Sequence, residues 1–429
     1  MDGRNVGARL MTKIQKRELQ KVFGGLKGAG NLDYVAGWFR KAADFMAGKN
    51  SRAAFVATNS VSQGDTVSLL WKNLFDSGVH IDFGYSTFRW DSESTQIAHV
   101  HCVIVGFSCA PNDKPKLLFL PDQIIRAKNI NGYLLDAPNI FVWSREEPVS
   151  PDTPPITKGF QATDGRNLIL SPEERDELIE KNPAAQKWIR PFVGAREFIQ
   201  NKKRFCLWLE DCPPNELRKM KSVYERVQAV RDFRLKSTKA ATRRDADTPW
   251  LFQEIRQPKT DYLLVPRHSS ARRDYVPIDY VSSEVICGDS NQMIPYAKWW
   301  HFGVLTSSVH MTWMRTVGGR LESRYRYSAE IVYNNFPWPP SWRKVERTAG
   351  EILLARRKFP DASFADLYDP LTMPKELRRA HEANDRAVME AYDFSPKMTE
   401  HELQVTLLRL YETLSELKKL FDEMDAEFN

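Results

Sequence analysis

Residues 32–58 carry the sequence LDYVAGWFRKAADFMAGKNSRAAFVAT, which decides the fold class because it joins an amphipathic segment to a short apolar one. Apolar residues recur at helical spacing in its first part, which predicts a helix over residues 32–46. These residues are Leu32, Val35, Ala36, Phe39, Ala42, Ala43 and Met46. Residues 53–58, AAFVAT, form an apolar run flanked by polar residues, which is typical of a buried parallel strand.

The same alternation continues toward residue 108. Helical spacing returns over residues 65–75, and two strands are predicted at residues 80–87 and 99–107, the second strongly β-branched. The order helix, strand, helix, strand, strand is typical of an α/β sheet that ends in an antiparallel pair. We therefore predict an α/β domain over residues 1–116.

Beyond residue 117 proline becomes frequent and the predicted strands are short. A basic helix is predicted over residues 216–234, a loop over residues 237–248 and several strands within residues 252–280. These features indicate an α+β domain over residues 117–340. The prolines near residue 340 end it, and a helical segment over residues 341–429 follows.

A stripe of large apolar residues runs along the last part of the sequence. Its members step by four and three: Leu403, Leu407, Leu410, Leu414, Leu417 and Phe421. The stripe spans fewer than three heptads, so a helix docked on its own domain is favoured over a coiled-coil partner site.

Composition excludes several classes of protein. A hydrophobic fraction of 42% indicates a folded chain, and no apolar run approaches the length of about 18 residues needed to span a bilayer. The five cysteines are scattered and never occur as Cys-x-x-Cys, which argues against a disulfide framework and a zinc site and suits a reducing cytoplasm. His99 and His101 could share a metal ion, but no third ligand lies nearby in sequence, so no metal site is predicted.

Positive charge is concentrated in the middle of the chain. The formal net charge is +7, and residues 187–275 contain 21 Lys and Arg against 11 Asp and Glu. Residues 397–429 have the opposite balance, with 4 basic and 8 acidic residues. This distribution is typical of a polyanion binder, because cations near phosphates release condensed counterions. A solvated charged surface is the alternative.

Several segments resemble a known family. NLDYVAGWFRKAA (31–43), AFVATNSVSQG (54–64), IDFGYSTFRW (81–90) and HVHCVIVGFS (99–108) resemble a helix and the last three strands of adenine amino-methyltransferases. The segments WIRPFVGAREFI (188–199), FCLWLEDCPPNELRKM (205–220), LFQEIRQP (251–258), HFGVLTSSVHMTWMRTVGGRLESRYRYS (301–328) and IVYNNFPWP (331–339) are similar to the target-recognition domain of type IIL, MmeI-like enzymes, and DLYDPLTMPKELRRAH (366–381) fits their helical tail. The resemblance implies the C-terminal half of a Rossmann-like methyltransferase sheet, then a target-recognition domain and a helical C-terminal domain.

The sequence also departs from this family. Its members carry a glycine-rich loop that binds S-adenosylmethionine and an Asn/Asp-Pro-Pro-aromatic loop. None of the proline pairs here, at residues 154–155, 213–214 and 339–340, has an acidic or amide residue before it and an aromatic residue after it. Gly28 and Gly30 lack a preceding apolar strand, which favours a plain connector. We therefore expect the N-terminal cofactor-binding and catalytic motifs to be missing.

Two groups of residues are candidates for the active-site side of the sheet. Thr58, Asn59 and Ser60 end a predicted strand at its carboxyl edge, where α/β sheets place ligands, although an ordinary turn would have the same sequence. The resemblance implies that Phe88 stacks on a flipped-out adenine. The alternative is that Phe88 is an ordinary buried strand residue.

Charged residues suggest how DNA is contacted. Five lie within twelve residues: Arg315, Arg320, Glu322, Arg324 and Arg326. Arginine can contact guanine through two hydrogen bonds and glutamate can accept one from cytosine, so Glu322 and Arg324 are predicted to read bases in the major groove, with solvated surface as the alternative. Phosphate contacts are predicted for Lys202, Lys203, Arg204, Arg243 and Arg244. Core positions are predicted for Trp299, Trp300, Trp313 and Trp338.

Together these features predict a site-specific, adenine-specific DNA methyltransferase of a restriction-modification system, of which this chain retains duplex recognition. S-adenosylmethionine is the cofactor implied by the resemblance. The expected partners are double-stranded DNA and a separate polypeptide carrying the N-terminal half, since the strand at residues 53–58 would otherwise expose an unpaired edge. The alternatives are a non-catalytic DNA-binding remnant, a DNA-specificity subunit and, third, an RNA-modifying enzyme.

Overall fold

The computed structural model describes residues 10–90, 100–112 and 114–428. The chain divides into two compact units, and each unit is assembled from separate stretches of sequence. Unit 1 comprises Met1–Thr153, Thr312–Pro339 and Phe394–Asn429, and unit 2 comprises Pro154–Met311 and Pro340–Asp393. The three consecutive domains predicted from the sequence did not anticipate this interleaving, and their boundaries stay a prediction.

The described residues form short and medium-length strands. They are β1 (Arg52–Thr58), β2 (His80–Trp90), β3 (Val100–Ser108), β4 (Lys116–Phe119), β5 (Ile124–Ala127), β6 (Thr157–Lys158), β7 (Ile169–Leu170), β8 (Ile189–Val193), β9 (Phe205–Leu207), β10 (Tyr262–Pro266), β11 (His268–Ser269), β12 (Asp279–Val281), β13 (Ile286–Cys287), β14 (Asn291–Pro295), β15 (Arg320–Leu321) and β16 (Arg324–Arg326).

The α-helices are longest near the C-terminus. They are α1 (Lys13–Val22), α2 (Ala36–Met46), α3 (Lys72–Asp76), α4 (Pro172–Lys181), α5 (Ala195–Gln200), α6 (Pro214–Lys219), α7 (Lys221–Leu235), α8 (Ala240–Arg244), α9 (Trp299–Leu305), α10 (Ser308–Val317), α11 (Arg343–Arg357), α12 (Phe364–Leu367), α13 (Lys375–Ala391) and α14 (Glu400–Phe428). Among the described residues no helix combines the length and the apolar character that crossing a membrane would require.

Unit 1 contains a five-stranded sheet with the order β1-β3-β2-β4-β5. Both β1 and β2 run antiparallel to β3, so they are parallel to each other and their carboxyl ends lie at the same edge of the sheet. The predicted α/β class is confirmed, and so is the antiparallel pair near residue 100. Residue 99, where the second predicted strand would begin, lies outside the described residues.

The strand at residues 53–58 is present, but the prediction that it is a buried parallel strand was wrong. Among the described strands β1 pairs with β3 alone, in antiparallel register, and it forms the edge of the sheet. Val56 is 53% exposed, and Ala57 is the one residue of β1 that is fully buried. An apolar run predicts burial correctly only when both neighbours of the strand are present.

Aromatic packing joins the helices of unit 1 to one face of this sheet. Phe39 of α2 stacks on Phe107 of β3 with ring centroids 5.4 Å apart and meets Trp71 edge-on at 5.6 Å. The Trp71 indole nitrogen donates to the carbonyl of Val61 at 2.7 Å. The predicted helix at residues 32–46 is thus present from Ala36 onward, and the one at residues 65–75 begins as a π-helical turn, Val67–Trp71.

Two buried asparagine side chains hold residues 143–150 against residues 330–338 within unit 1. The Asn334 amide donates to the carbonyls of Arg145 and Glu146 at 3.0 and 2.8 Å. The Asn335 amide donates to the carbonyls of Trp143, Glu330 and Ile331 at 2.9, 2.7 and 3.2 Å. Both side chains are almost completely buried, so their amide groups replace the water that these carbonyls would otherwise bind.

Unit 2 contains two four-stranded sheets, with the orders β12-β10-β14-β6 and β13-β8-β9-β7. The Arg234 side chain of α7 is buried and donates to five backbone carbonyls. The acceptors are Ala162, Thr163, Asp245, Thr248 and Leu251, at 2.7–3.1 Å. Because a guanidinium group has five N–H donors, its hydrogen-bonding capacity is fully used.

Two predictions for unit 2 need correction. The helix predicted over residues 216–234 is two helices, α6 and α7, separated at Met220. The loop predicted over residues 237–248 contains α8 and a 3₁₀ turn, Asp245–Asp247. Arg234 supplies the physical reason for the second error, since its bonds to the carbonyls of Asp245 and Thr248 draw this polar stretch back onto α7.

The apolar stripe of α14 has two different environments. Leu403 and Leu407 are buried, whereas Leu417 and Phe421 are 45% and 63% exposed. The predicted docking of this helix on its own unit is therefore confirmed for its first turns and not for its last ones.

We expect Asn335→Asp to lower the free energy of unfolding of unit 1 by about 3 kcal/mol or more, because it replaces three donated hydrogen bonds with a buried charge among carbonyl oxygens. Urea denaturation followed by tryptophan fluorescence measures the change. Asn139→Asp is the matched control, since the exposed Asn139 side chain accepts a hydrogen bond from Asn129 and an aspartate can still accept it. Equal losses in the two variants would contradict this account.

Candidate functional site

The sheet of unit 1 places Thr58 and Phe88 in one row. Both residues pair with Cys102 of β3, the strand that lies between β1 and β2, Thr58 from β1 and Phe88 from β2. Paired residues of antiparallel strands direct their side chains to the same face. Because β1 and β2 are parallel, this row lies near the carboxyl ends of both strands, where α/β sheets bind ligands.

The turn that follows β1, residues 58–64, is called here the sheet-edge turn. It starts with a hydrogen bond between the Thr58 and Ser60 hydroxyl groups at 3.0 Å and continues as a 3₁₀ turn, Asn59–Ser62. Asn59 is only 7% exposed, and its amide nitrogen has no hydrogen-bond partner within the described part of the protein. A buried amide donor without a partner costs free energy, so this donor is available to a bound group.

The exposure of Phe88 is intermediate between a buried strand residue and a ring that is fully open for stacking on a base. Its side chain is half-buried, and its ring centroid is 6.2 Å from that of Trp90. The pairing of β2 with β3 is irregular between Tyr85 and Phe88, which sets the end of β2 apart from the regular ladder. Stacking on a base stays a prediction for Phe88, and its half-buried ring leaves room for it.

Residues 319–326 form a tight antiparallel pair, called here the arginine hairpin. Arg320 pairs with Tyr325 and Leu321 with Arg324, and the Arg326 amide donates to the Gly319 carbonyl at 2.9 Å. The Arg320 guanidinium lies 4.3 Å from the centroid of the Tyr325 ring, so this arginine is held against the hairpin itself.

The two residues predicted to read bases lie at the tip of the arginine hairpin. The Glu322 carboxylate accepts a hydrogen bond from Arg324 at 3.0 Å, and their side chains are 73% and 47% exposed. The backbone of Glu322 has φ +58°, a left-handed conformation that favours glycine. A glutamate that bears this strain at an exposed tip suggests that its side chain has a role outside the fold.

The sheet-edge turn and the arginine hairpin meet within unit 1. Gly64, at φ +57°, lies beside Gly319, since a Cβ atom built on Gly64 would lie at an ordinary van der Waals distance, 3.5 Å, from the Gly319 Cα. Protein packed around the neighbouring Asp65 raises the pKa of its carboxyl, Arg326 opposes that shift and Glu330 reinforces it. Residues separated by about 255 positions in the sequence are thus brought to one place.

The remaining predicted contact residues are dispersed. Arg315 of α10 bonds the Glu400 carboxylate at 2.7 Å and so belongs to an ion pair within unit 1. In unit 2, Arg204 pairs with Glu197 at 3.0 Å, whereas Lys202, Lys203, Arg243 and Arg244 are exposed. Arg243 also donates to the carbonyl of Ser237 at 2.8 Å. Phosphate contacts by these residues stay a prediction.

The glycines at residues 28 and 30 do not fit a cofactor site. Gly28, at φ +90°, begins a 3₁₀ turn, Ala29–Asn31, between α1 and α2, and a Cβ atom built on it would lie 3.1 Å from Leu69. This geometry agrees with a packed connector.

His101 and Cys102 lie side by side on β3 near this edge. His99 lies outside the described residues, and among those described no three His, Cys, Asp or Glu side chains could jointly hold a metal ion. Burial raises the pKa of the Cys102 thiol, which lies between Thr58 and Phe88 in this row, and so disfavours the reactive thiolate.

Three family models match consecutive parts of the chain. They are described as "MmeI, DNA-methyltransferase domain" over residues 4–120, "MmeI, target recognition domain" over residues 136–340, and "MmeI, C-terminal domain" over residues 339–419. The chain belongs to the MmeI-like DNA methyltransferase family. This confirms the family resemblance of the sequence.

Two relatives show how much of an MmeI-like protein is present. The chain is 36% identical over 415 residues to DNA methyltransferase A of Bacillus subtilis (strain 168), covering 96% of this chain and 47% of that protein. It also matches a solved structure of the type IIL restriction-modification enzyme MmeI in complex with DNA, with a TM-score of 0.90 and 43% identity, covering 96% of this chain and 56% of the other. The chain thus spans about half the length of these relatives.

Sequence reasoning missed the residues that fix the chain after the arginine hairpin. The doubled asparagine of IVYNNFPWP carried only a family resemblance, although two amides between aromatic residues and a proline could have indicated buried hydrogen bonding. The prediction that Trp299 is a core residue was wrong, since its side chain is 52% exposed. Of its companions Trp313 is fully buried, and Trp300 and Trp338 are partly buried.

We expect Glu322→Gly to raise the free energy of unfolding of unit 1 by up to about 1 kcal/mol, because glycine adopts a positive φ without strain. Chemical denaturation measures the effect. Ser323→Gly is the matched control at the neighbouring turn position, where φ is not positive, and it should leave stability unchanged or lower it. A stability loss in Glu322→Gly as large as that in Ser323→Gly would contradict the argument from strain.

Proposed function

We propose that this chain recognises a specific duplex DNA sequence for an adenine-specific methyltransferase of a restriction-modification system. The observation that carries this proposal is the contact between Gly64 of the sheet-edge turn and Gly319 of the arginine hairpin. It joins the ligand-binding edge of a methyltransferase sheet to an exposed pair of charged side chains in one compact unit.

In this proposal Glu322 and Arg324 contact base edges in the major groove. Arginine can donate two hydrogen bonds to guanine and glutamate can accept one from cytosine, so the pair suits a G·C base pair. Without DNA the two side chains satisfy each other at 3.0 Å, which keeps them extended at the tip of the hairpin. The exposed cations Lys202, Lys203, Arg243 and Arg244 contact phosphates and carry no sequence information.

The sheet edge would receive the target adenine. An enzyme that modifies a base inside a duplex must rotate it out of the stack and hold it in a pocket. Phe88 offers the ring for stacking, and the unpaired amide of Asn59 offers a buried donor in the neighbouring turn. Thr58 and Ser60 border the same turn.

Methyl transfer needs groups that this sequence does not contain. The exocyclic amine of adenine is conjugated and a poor nucleophile, and a side-chain amide or carboxylate with a proline carbonyl must accept its two hydrogens. S-adenosylmethionine, which the family implies, would supply the methyl group. We propose that a polypeptide carrying the glycine-rich and Asn-Pro-Pro-aromatic motifs pairs with the open edge of β1, where Val56 is exposed.

A DNA-specificity subunit that never takes part in catalysis is the second candidate, and the exposed tip of the arginine hairpin suits it equally. The two candidate functions differ in whether a polypeptide with the catalytic motifs pairs with β1. Methylation assays separate them, and competition with structured RNA separates both from an RNA-modifying enzyme. The cytoplasmic location expected from the scattered cysteines stays a prediction.

We expect Arg324→Ala to weaken binding to the recognised duplex by about 1–3 kcal/mol while binding to unrelated duplex changes little, because a base contact is lost. Lys202→Ala is the control: it should weaken both equally and reduce the salt slope by about 1. A selected library of random duplexes identifies the recognised sequence, and fluorescence anisotropy over a salt series measures both quantities. Equal losses on both duplexes in Arg324→Ala would overturn the assignment of the hairpin.

The second test measures transfer of labelled methyl groups from S-adenosylmethionine to DNA. We expect no transfer by this chain alone and transfer after addition of the N-terminal half of an MmeI-like relative. Val56→Asp should reduce that transfer at least about tenfold, because burying a charge at a paired edge costs more than about 1.4 kcal/mol.

Ile124→Asp is the matched control, since Ile124 is 62% exposed on β5 at the opposite edge of the same sheet. Transfer should survive this change, and duplex binding should survive both changes. Methylation by this chain alone would contradict the proposal that catalytic groups come from elsewhere. Absence of transfer with the added half would favour the specificity subunit.

A further inference from the structure

Unit 2 contains an open cavity of about 720 Å³ that the proposed function does not use. It lies between the segment joining β14 to α9 and the first turns of α11. Its walls are formed by Ala297, Lys298, Trp299, Arg343, Glu346 and Arg347. Its volume falls within the range of about 300–1,000 Å³ that is common for ligand sites.

Trp299 forms a fixed aromatic wall of this cavity. Its side chain is 52% exposed, yet its ring rests on α11 where a Cβ atom built on Gly350 would lie 3.2 Å from ring atom Cζ3. A glycine inside a helix costs about 1 kcal/mol relative to alanine. The glycine leaves space for the ring, so Trp299 is seated on the helix and does not swing freely in solvent.

Other aromatic residues flank this wall. Tyr296 is 69% exposed and has φ +61°, a left-handed conformation that a tyrosine rarely adopts. Trp342, 38% exposed, stacks on Trp300 with ring centroids 6.0 Å apart and an interplanar angle of 18°. Exposed aromatic residues thus directly precede the lining residues in the sequence on both contributing segments, at Tyr296 and Trp342.

The charge of the cavity is positive. Lys298 and Arg343 are exposed, and neither forms an ion pair within the described ranges of the chain. Arg347 is paired with Glu351 at 2.5 Å, and the Glu346 carboxylate is the acidic group among the lining residues. Lys298 and Arg343 thus line the same cavity as Trp299 and are available to a bound anion.

We propose that this cavity binds single-stranded nucleic acid, with one base stacked on Trp299 and the adjoining phosphates contacted by Lys298 and Arg343. Aromatic rings combined with a positively charged groove are how proteins hold single strands without reading their sequence. Bases inside an intact duplex are stacked on each other and cannot offer a face to Trp299. An acidic peptide would satisfy the two cations but would leave the ring without a stacking partner.

The test measures binding of the full chain to a fluorescein-labelled oligothymidylate by fluorescence anisotropy. We expect Trp299→Ala to weaken binding by about 5- to 150-fold, the range of about 1–3 kcal/mol for one stacked base. Trp299→Phe should restore most of the affinity. Gly350→Ala should weaken binding as well, because the added methyl group displaces the ring.

The charges are tested separately from the ring. In the double variant Lys298→Gln, Arg343→Gln the slope of log affinity against log salt should become shallower by about 1.4, since each phosphate contact on a single strand contributes about 0.7. Arg324→Ala, which changes the arginine hairpin, should leave oligothymidylate binding unchanged. Failure of the proposed duplex recognition would therefore not affect this result.

Three results would overturn the proposal. They are unchanged oligothymidylate binding in Trp299→Ala, an unchanged salt slope in the double variant, and displacement of the oligonucleotide by polyglutamate as readily as by unlabelled oligothymidylate. If Trp299→Ala proves unfolded in a thermal melt, Gly350→Ala and the double variant decide the question, because both keep the Trp299 side chain and unchanged binding in Gly350→Ala would then contradict the stacking.

Discussion

The buried amides of Asn334 and Asn335 are the constraint on which the candidate site depends. They donate to five backbone carbonyls of residues 143–146 and 330–331 and so fix the chain just after the arginine hairpin. A buried carbonyl that loses its donor costs about 1–3 kcal/mol, so no sliding of these two segments can occur without breaking several bonds together. The hairpin is short and would be weak alone. Its position is imposed by the rest of unit 1.

This constraint has a consequence for specificity. Gly64 and Gly319 lie next to each other, and a Cβ atom added at Gly64 would lie at an ordinary van der Waals distance, 3.5 Å, from the Gly319 Cα. If the hairpin reads one base pair while the sheet edge holds another base, the separation of the two along the duplex depends on this proximity. Changes at the tip, at Glu322 or Arg324, would then alter the recognised base without moving the modified one.

Periodicity predicted the elements of the first hundred residues correctly because their burial is decided locally. Phe39 and Phe107 face each other across the core, as their spacing in helix and strand requires.

The predictions were wrong where a residue that is distant in the sequence decides the local structure or the burial. The stretch at residues 237–248 is polar, and only Arg234 shows why it folds back. Trp299 is a large aromatic residue of the kind that usually lies in a core, and only the structure shows that its ring packs on α11 at Gly350 while half of its surface stays exposed. The chemistry of Glu322, Arg324 and Phe88 could be proposed from sequence, but the grouping of the hairpin with the sheet edge could not, because no local pattern encodes a contact across about 255 residues.

The open edge of β1 and the positive surface would act over different ranges. Phosphate attraction extends over about a Debye length of 8–10 Å and weakens with salt, whereas strand pairing needs direct contact and is insensitive to salt. A chain such as this one can therefore meet DNA before it meets a partner strand. Pairing at β1 would then complete the sheet of a unit in which the arginine hairpin is already in position. The asparagine amides and the Gly64–Gly319 neighbourhood do not involve the free side of β1. Under the proposed function, DNA recognition would therefore not depend on the open edge of β1, whereas methyl transfer would.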